Sequence, residues 1–359
     1  MTRNLTLSVE QLYRRQPGGI GTYVRGLLRG LAQVSTDLSI VGIAPWNATP
    51  SDVRALLPSV EQAPLPVGLL TRAWRYRAIG VPHNSSIVHA TSMAGPYGGG
   101  ALGAVHSVAM HDLLWRDDIN GPTARGIRFH EDRLALLRDH KDVRIFTSSP
   151  GLKERLVDEG FESVRVHPVR LGVDDDGVVA ANAGVVRDLL ERHDVAGPYT
   201  LYVGTREPRK NLERLIKAHR DALAQGPELG PLVFVGPPGW GGVDTQNATV
   251  LGVLERDVLK GLFRDAAVCA YVAVAEGWGL PPVEALHAGT RVVASSSTPS
   301  VANNPEVVHV DPFDVASISD GLLRALATDA SETGAQRRRA SVADLTWANS
   351  ALDHLDGWS

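Results

Sequence analysis

Residues 201–225 read LYVGTREPRKNLERLIKAHRDALAQ, and how this stretch is read decides the fold. LYVGT is a short apolar run of the length of a buried strand. NLERLIKAHRDALAQ repeats its apolar residues three and four apart, as one face of a helix requires. Between them the charged turn REPRK marks where strand gives way to helix. The alternation recurs along the chain. LTLSV, LSIVGIA, SIVHA, HSVAM and VRIFTSS read as strands in the first half, PLVFVG, CAYVAV and RVVAS in the second. GTYVRGLLRGLAQV, RLALLRDH and VLKGLFRDAA read as amphipathic helices among them. Strands alternating with helices imply parallel sheets covered on both faces.

With 359 residues the chain exceeds one ordinary core. A joint falls between Gly172 and Pro198, where an acidic DDDG and a helical VVRDLLERHD precede a fresh strand. The expected fold class is α/β, with two doubly wound Rossmann-like domains over 1–175 and 176–344 facing a cleft. In such sheets ligands sit beyond the C-terminal strand ends. Hydrophobic residues at 43% and charged residues at 21% suit a soluble globular protein, and a net charge of −4 argues against nucleic acid as a partner. The one cysteine, Cys269 in VCAYVAV, reads as a small buried hydrophobe. No signal peptide is read, and no run approaches the ~20 apolar residues of a membrane span, so a cytoplasmic location is the default.

Three strand-to-helix junctions carry candidate chemistry. PGGIGTY (17–23) sets Gly18, Gly19 and Gly21 before the first helix, where backbone amides can approach an anion. The dinucleotide fingerprint fails there, because its third glycine position is Val24. In VGTREPRKN, Arg209 and Lys210 stand at a helix start, where cations oppose the helix dipole unless an anion lies between them. EGWGLPPVE (276–284) brackets a strand-to-helix loop with Glu276 and Glu284; Pro281 and Pro282 fix the first helical turn, and the carboxylates suit a hydroxyl-rich ligand lying across the loop. His111 and Asp112 follow another strand; a lone histidine there is more often structural. Asp174, Asp175 and Asp176 formally hold an Asp-x-Asp metal spacing but lie in the joint and read as a solvated acidic loop, and no His/Cys cluster has zinc spacing. The segment 69–80 interleaves Arg72, Arg75 and Arg77 with Trp74 and Tyr76; a solvated basic helix is the default, a weak peripheral contact with an acceptor or membrane surface the alternative.

Taken together, PGGIGTYVRGLL, VHATSMAGP, the HDL of MHDLLW and RGIRFHEDRL, followed by VGTREPRKN, LVFVGPPGWG, LKGLFRDAAV, EGWGLPPVEAL, VDPFD and LTWANSALDHL, resemble a retaining GT-B glycosyltransferase of family 4, in its bacterial mannosyltransferase-like branch. The resemblance implies an enzyme moving a hexose, mannose first, from a nucleotide-diphosphate sugar to a glycan or lipid-linked acceptor in cell-surface glycan synthesis, at the inner face of the membrane. GDP-mannose is favoured over a UDP-sugar as donor, with no cofactor and no metal. Glu276 would contact donor hydroxyls near the reacting centre, Glu284 the ribose, and Arg209 and Lys210 the diphosphate. Gly18, Gly19 and Gly21 would face that diphosphate from the other domain, and His111 would line the sugar site. Gly204 and the turn Gly277, Trp278, Gly279 and Leu280 would lend donor-binding amides. Residues 345–359 would form a helix packing back on the N-terminal, acceptor-side domain. The segment after VVAS departs from the family in lacking its leucine–proline–glutamate arrangement. Two other classes stay open: a non-catalytic nucleotide-sugar or glycan binder of the same fold, and a dinucleotide oxidoreductase, which Val24 disfavours.

Overall fold

The computed structural model describes the chain except residues 1–2, 15, 35–36, 49–52, 54–55, 58, 77–78, 98–102, 118–122, 174–178, 241 and 246. Arg77 and the acidic triplet at 174–176 thus lie outside the described residues. Contacts divide the chain into two units, one formed by residues 1–116, 122–172 and 345–359, the other by residues 117–121 and 173–344. Each is a doubly wound parallel α/β unit.

In the N-terminal unit seven strands run parallel: β1 (Arg3–Ser8), β2 (Leu38–Pro45), β3 (Val60–Ala63), β4 (Ile87–Ala90), β5 (Val105–Met110), β6 (Arg144–Thr147) and β7 (Val166–Pro168). Their spatial order is β3-β2-β1-β4-β5-β6-β7. The central strands are almost wholly buried, as continuous apolar runs between two helical layers should be. The helix Gly18–Gln33 buries Tyr23, Val24, Leu27, Leu28 and Leu31 on one face. The same helix carries Gly26 and Gly30 where the C-terminal helix Trp347–Trp358 crosses it. A Cβ on Gly26 would come within 2.0 Å of the Trp347 ring, and one on Gly30 within 2.0 Å of the Trp347 carbonyl. Only glycine allows the two helices to approach so closely.

A buried polar chain fixes that C-terminal helix. His354 Nδ1 lies 2.7 Å from the Ser350 carbonyl, so it carries the hydrogen and Nε2 accepts from the Tyr23 hydroxyl at 2.8 Å. Tyr23 then accepts from His89 Nε2–H, also at 2.8 Å. His89 Nδ1 accepts from the Ser107 hydroxyl at 2.9 Å, and Ser107 accepts from the Trp358 indole N–H at 2.9 Å. Every proton has one place, and both histidines are neutral. Phe146 stacks on His354 with ring centroids 4.8 Å apart, and Arg170 forks onto Asp353 at 2.9 and 2.7 Å.

The C-terminal unit holds β8 (Thr200–Val203), β9 (Leu232–Val235), β10 (Thr249–Gly252), β11 (Val268–Tyr271), β12 (Val292–Ser295) and β13 (Val307–Val310), all parallel, in the order β10-β9-β8-β11-β12-β13. From β8 the chain winds outward through β9 and β10, then returns to the other side of β8 as β11. The loops leaving β8 and β11 therefore part from each other. This is the crevice where open α/β sheets take ligands.

The four strands that the apolar runs did not suggest, β3, β7, β10 and β13, are the four sheet edges. The PGGIG segment also differs from the loop expected of it. Pro17 caps the helix, and Gly18, Gly19 and Gly21 already belong to its first turn.

Candidate functional site

At the β8/β11 crevice the segment after β8 makes a short 3-10 turn, Pro208–Lys210, and then Asn211 takes φ +63 before the helix Leu212–Leu223. Asn211 holds this unusual backbone by donating from its amide to the carbonyls of Val272, at 3.0 Å, and Pro312, at 2.6 Å. The turn is thereby pinned to the exit of β11, and the Val274 amide donates back to the Arg209 carbonyl at 2.9 Å. Glu276 leaves the same exit. Its Oε1 accepts from Arg209 Nη1 at 2.7 Å, from the Tyr271 hydroxyl at 2.9 Å, and from Lys210 Nζ. Lys210 also donates to the Tyr271 hydroxyl at 2.6 Å, and Arg209 Nε donates to Glu207 at 2.8 Å.

The side chains of Lys210 and Glu276 are each only 8% exposed. Burial alone would raise the Glu276 carboxyl; the charges of Lys210 and Arg209, with hydrogen bonds from Lys210 and Tyr271, outweigh it and hold the carboxyl below its ordinary range. Two cations and two carboxylates are thus balanced at one buried point. The anion that a cationic helix start demands is supplied by Glu276 together with Glu207.

Beyond Glu276 the chain turns through Gly277 and Trp278 to Gly279, which has φ +94 and a position where a Cβ would meet Thr298 at 2.7 Å. The helix Leu280–Ala288 follows, with Pro281 and Pro282 in its first turn, and ends at Gly289 with φ +88. The Trp278 indole nitrogen is buried without a partner among the described residues. Gly204 closes β8 by donating to the Val235 carbonyl at 2.9 Å, and a Cβ there would meet the Tyr202 hydroxyl at 2.6 Å.

Glu284 is not brought into this cluster. One turn into its helix it faces the helix Arg256–Asp265 and lines a cavity of about 310 Å³ with Arg256, Lys260, Phe263 and His287. None of Arg209, Lys210 and Glu276 lines that cavity. Eight positions apart in sequence, the two carboxylates do not meet at one point, and the αL turn at Gly279 lies between them.

The remaining candidates belong to the N-terminal unit. His111 donates from Nε2 to the Thr91 carbonyl at 2.9 Å and packs edge-on to Tyr23, with ring centroids 5.0 Å apart. Burial lowers its pKa, so the ring is neutral with Nδ1 as the lone-pair nitrogen. It lines a cavity of about 330 Å³ that also takes Ile20, from the first turn of the glycine-rich helix. Gln11, in the same lining, donates to the Pro17 carbonyl at 2.9 Å and so braces that turn. Gly18 and Gly19 are exposed, with open space where a side chain would stand.

Tyr271, Glu207 and Asn211 were not singled out by sequence reasoning. Glu207 and Asn211 stood inside the charged turn already noticed; Tyr271 is hidden in an apolar run.

Residues 191–341, all within the C-terminal unit, match the sequence family described as glycosyl transferases group 1. The O-antigen chain mannosyltransferase B of Escherichia coli is 30% identical over 184 residues, covering 47% of this chain and 48% of its own length. The serotype-specific mannosyltransferase WbdA of Escherichia coli is 27% identical over 251 residues, covering 64% of this chain and 30% of its own. The chain therefore spans less than half the length of these curated relatives. Among solved structures, sucrose-phosphate synthase from Thermosynechococcus elongatus superposes with a TM-score of 0.71 at 19% identity, covering 99% of this chain and 98% of that one. HepE from Anabaena, solved with UDP and glucose, gives 0.71 at 14% identity, with 99% and 98% covered. At such identities these structures speak for the fold alone.

Proposed function

We propose that the chain is a glycosyltransferase that moves a hexose, mannose favoured, from a nucleoside-diphosphate sugar to a glycan or lipid-linked acceptor, with retention of anomeric configuration. The observation that carries this reading is the convergence of Arg209, Lys210 and Glu276 at the β8/β11 switch point, beside the turn that opens the helix Leu280–Ala288. The family matched by residues 191–341 and the printed activities of the mannosyltransferase relatives support it.

Breaking a sugar–phosphate bond builds positive charge at the anomeric carbon and negative charge on the departing nucleoside diphosphate. Fixed cations and amides aimed at the leaving group lower that barrier, each contact typically contributing about 3 kcal/mol. Lys210 and Arg209 are assigned to the diphosphate, with amides of the Gly277–Leu280 turn; the Gly204 amide, committed to Val235, is left out of the assignment. On donor binding the two cations exchange Glu276 for phosphate oxygens, and the freed carboxylate accepts from the sugar hydroxyls. Glu284 is assigned to the ribose hydroxyls. With two cations on the leaving group, the reaction needs no metal ion. GDP-mannose is the favoured donor.

Nucleoside diphosphate release from GDP-, UDP-, ADP- and dTDP-sugars, compared between the wild type and Lys210→Ala, tests the reading. The expectation is release from GDP-mannose that falls about 10²–10³-fold in the variant. Equal release by both proteins removes Lys210 from the reaction. Tight GDP binding with no release from any donor points instead to a non-catalytic binder.

A further inference from the structure

The turn Gly277–Leu280 is held from one side by a segment to which no role has yet been given. Ser300 lies in the short 3-10 turn Pro299–Val301 that follows β12. Its backbone amide donates to the Trp278 carbonyl at 3.0 Å, and its hydroxyl donates to the Gly279 carbonyl at 2.6 Å. A trans peptide unit is planar, so its C=O and N–H point in opposite directions. Two consecutive carbonyls drawn towards Ser300 therefore send the next two amides, those of Gly279 and Leu280, away from it. Neither amide has an acceptor among the described residues, and no side chain caps this helix start. The Trp278 indole N–H, buried in the same turn, has none either.

The brace is itself fixed. Ser295, wholly buried at the end of β12, donates to the Ala273 carbonyl at 2.6 Å and accepts from the Thr298 hydroxyl at 2.9 Å. Thr298, also wholly buried, fills the space against Gly279 where a Cβ would stand. Gly279 can take its positive φ there because it is glycine. The stretch 295–300 is thus tied to the exit of β11 at one end and grips the turn at the other. It belongs to the segment in which the sequence departs from the family's leucine–proline–glutamate arrangement, and these contacts give it a task of its own.

We infer that Ser300 is a positioning residue: by holding the Trp278 and Gly279 carbonyls it aims the Gly279 and Leu280 amides at the diphosphate of the donor. The identity of that ligand rests on the glycosyl-transfer reading; the direction in which the amides point does not. Alanine at 300 keeps the backbone bond to Trp278 but releases the Gly279 carbonyl, so the Leu280 amide loses its aim. Threonine keeps the hydroxyl.

The test titrates GDP, UDP, ADP and dTDP, and the nucleoside of whichever binds, into the full chain by calorimetry. The proteins are the wild type, Ser300→Ala and Ser300→Thr, with matching melting curves required of all three. Ser300→Ala should bind the diphosphate about tenfold more weakly, Ser300→Thr should recover most of that loss, and the bare nucleoside should shift less than about twofold. In transfer assays the donor kcat/KM should fall by about the same factor in Ser300→Ala, with the acceptor KM moving less than about twofold. Equal diphosphate binding by wild type and Ser300→Ala, in a protein that turns over donor, would overturn the inference and leave the transfer reading standing. A loss that the nucleoside shares equally, or that threonine does not restore, would also overturn it, because a general disturbance of the fold would act that way. Diphosphate binding that depends on Ser300, in a wild type that turns over no donor, keeps the positioning role and dismisses the transfer reading. A wild type that binds none of the four diphosphates removes both.

Discussion

At Glu276, three donors converge on a single carboxylate oxygen, and two of them are cations. Removing that charge leaves Lys210 and Arg209 side by side, with Glu207 still paired to Arg209. Glu276→Gln should therefore lower the unfolding free energy by about 3 kcal/mol, read from urea denaturation, because a buried pair that loses one partner strands the other. A loss below about 1 kcal/mol would mean that water already screens the cluster. The cationic helix start was legible because it conflicts with the dipole. What the sequence could not convey is that the balancing anion comes from the chain itself, 66 residues beyond Lys210. Tyr271 was illegible for another reason: in VCAYVAV a phenol that ends among charged groups looks the same as one that ends in the core. Glu284 lies past the positive φ at Gly279, outside the Glu276 cluster and in the lining of another cavity.

Among elements, the C-terminal helix depends most on exact contact. Gly30→Val would drive a side chain into the Trp347 backbone, and the expected outcome is early proteolytic release of residues 345–359 in limited digestion. Tyr23→Phe removes the hydroxyl that both satisfies His354 and accepts from His89, and should cost about 1–3 kcal/mol. The same chain sets a pH dependence. Burial lowers the His354 pKa from 6.5 to about 4, and burial with the neighbouring His354 and His111 holds His89 well below its ordinary value. The unfolded chain therefore takes up protons before the folded one does. Stability is fully present above pH 6.5 and drains as pH falls towards 4, by about 3 kcal/mol from His354 alone. Thermal melting between pH 7.5 and pH 4.5 checks the direction, and His354→Phe should flatten that slope. Elements also separate what the sequence disclosed from what it concealed. Central strands announce themselves as unbroken apolar runs, since neighbours and helices cover them completely. Edge strands such as VEQA in β3 and VHP in β7 are short and partly wetted, so their composition resembles that of a loop.

In the whole molecule, the same topology is used twice. Each sheet reverses its winding at a switch point, and each switch point gathers polar side chains that the core has no use for: Arg209, Lys210 and Glu276 in one unit, Arg14, His111 and Asp112 in the other. If the leaving group is neutralised by protein cations, EDTA should leave turnover unchanged, and loss of activity restored by a divalent metal would refute that assignment. With GDP-mannose as donor, proton NMR of the first product formed should show the α-configuration of the donor retained. On the proposed function, the Lys210–Glu276 pair opens to receive an activated sugar. A crystal structure with bound GDP-mannose tests it most directly. Lys210 and Arg209 should then sit on phosphate oxygens and Glu276 on hydroxyls of the mannose. A donor bound elsewhere, with the Lys210–Glu276 contact intact, would contradict it.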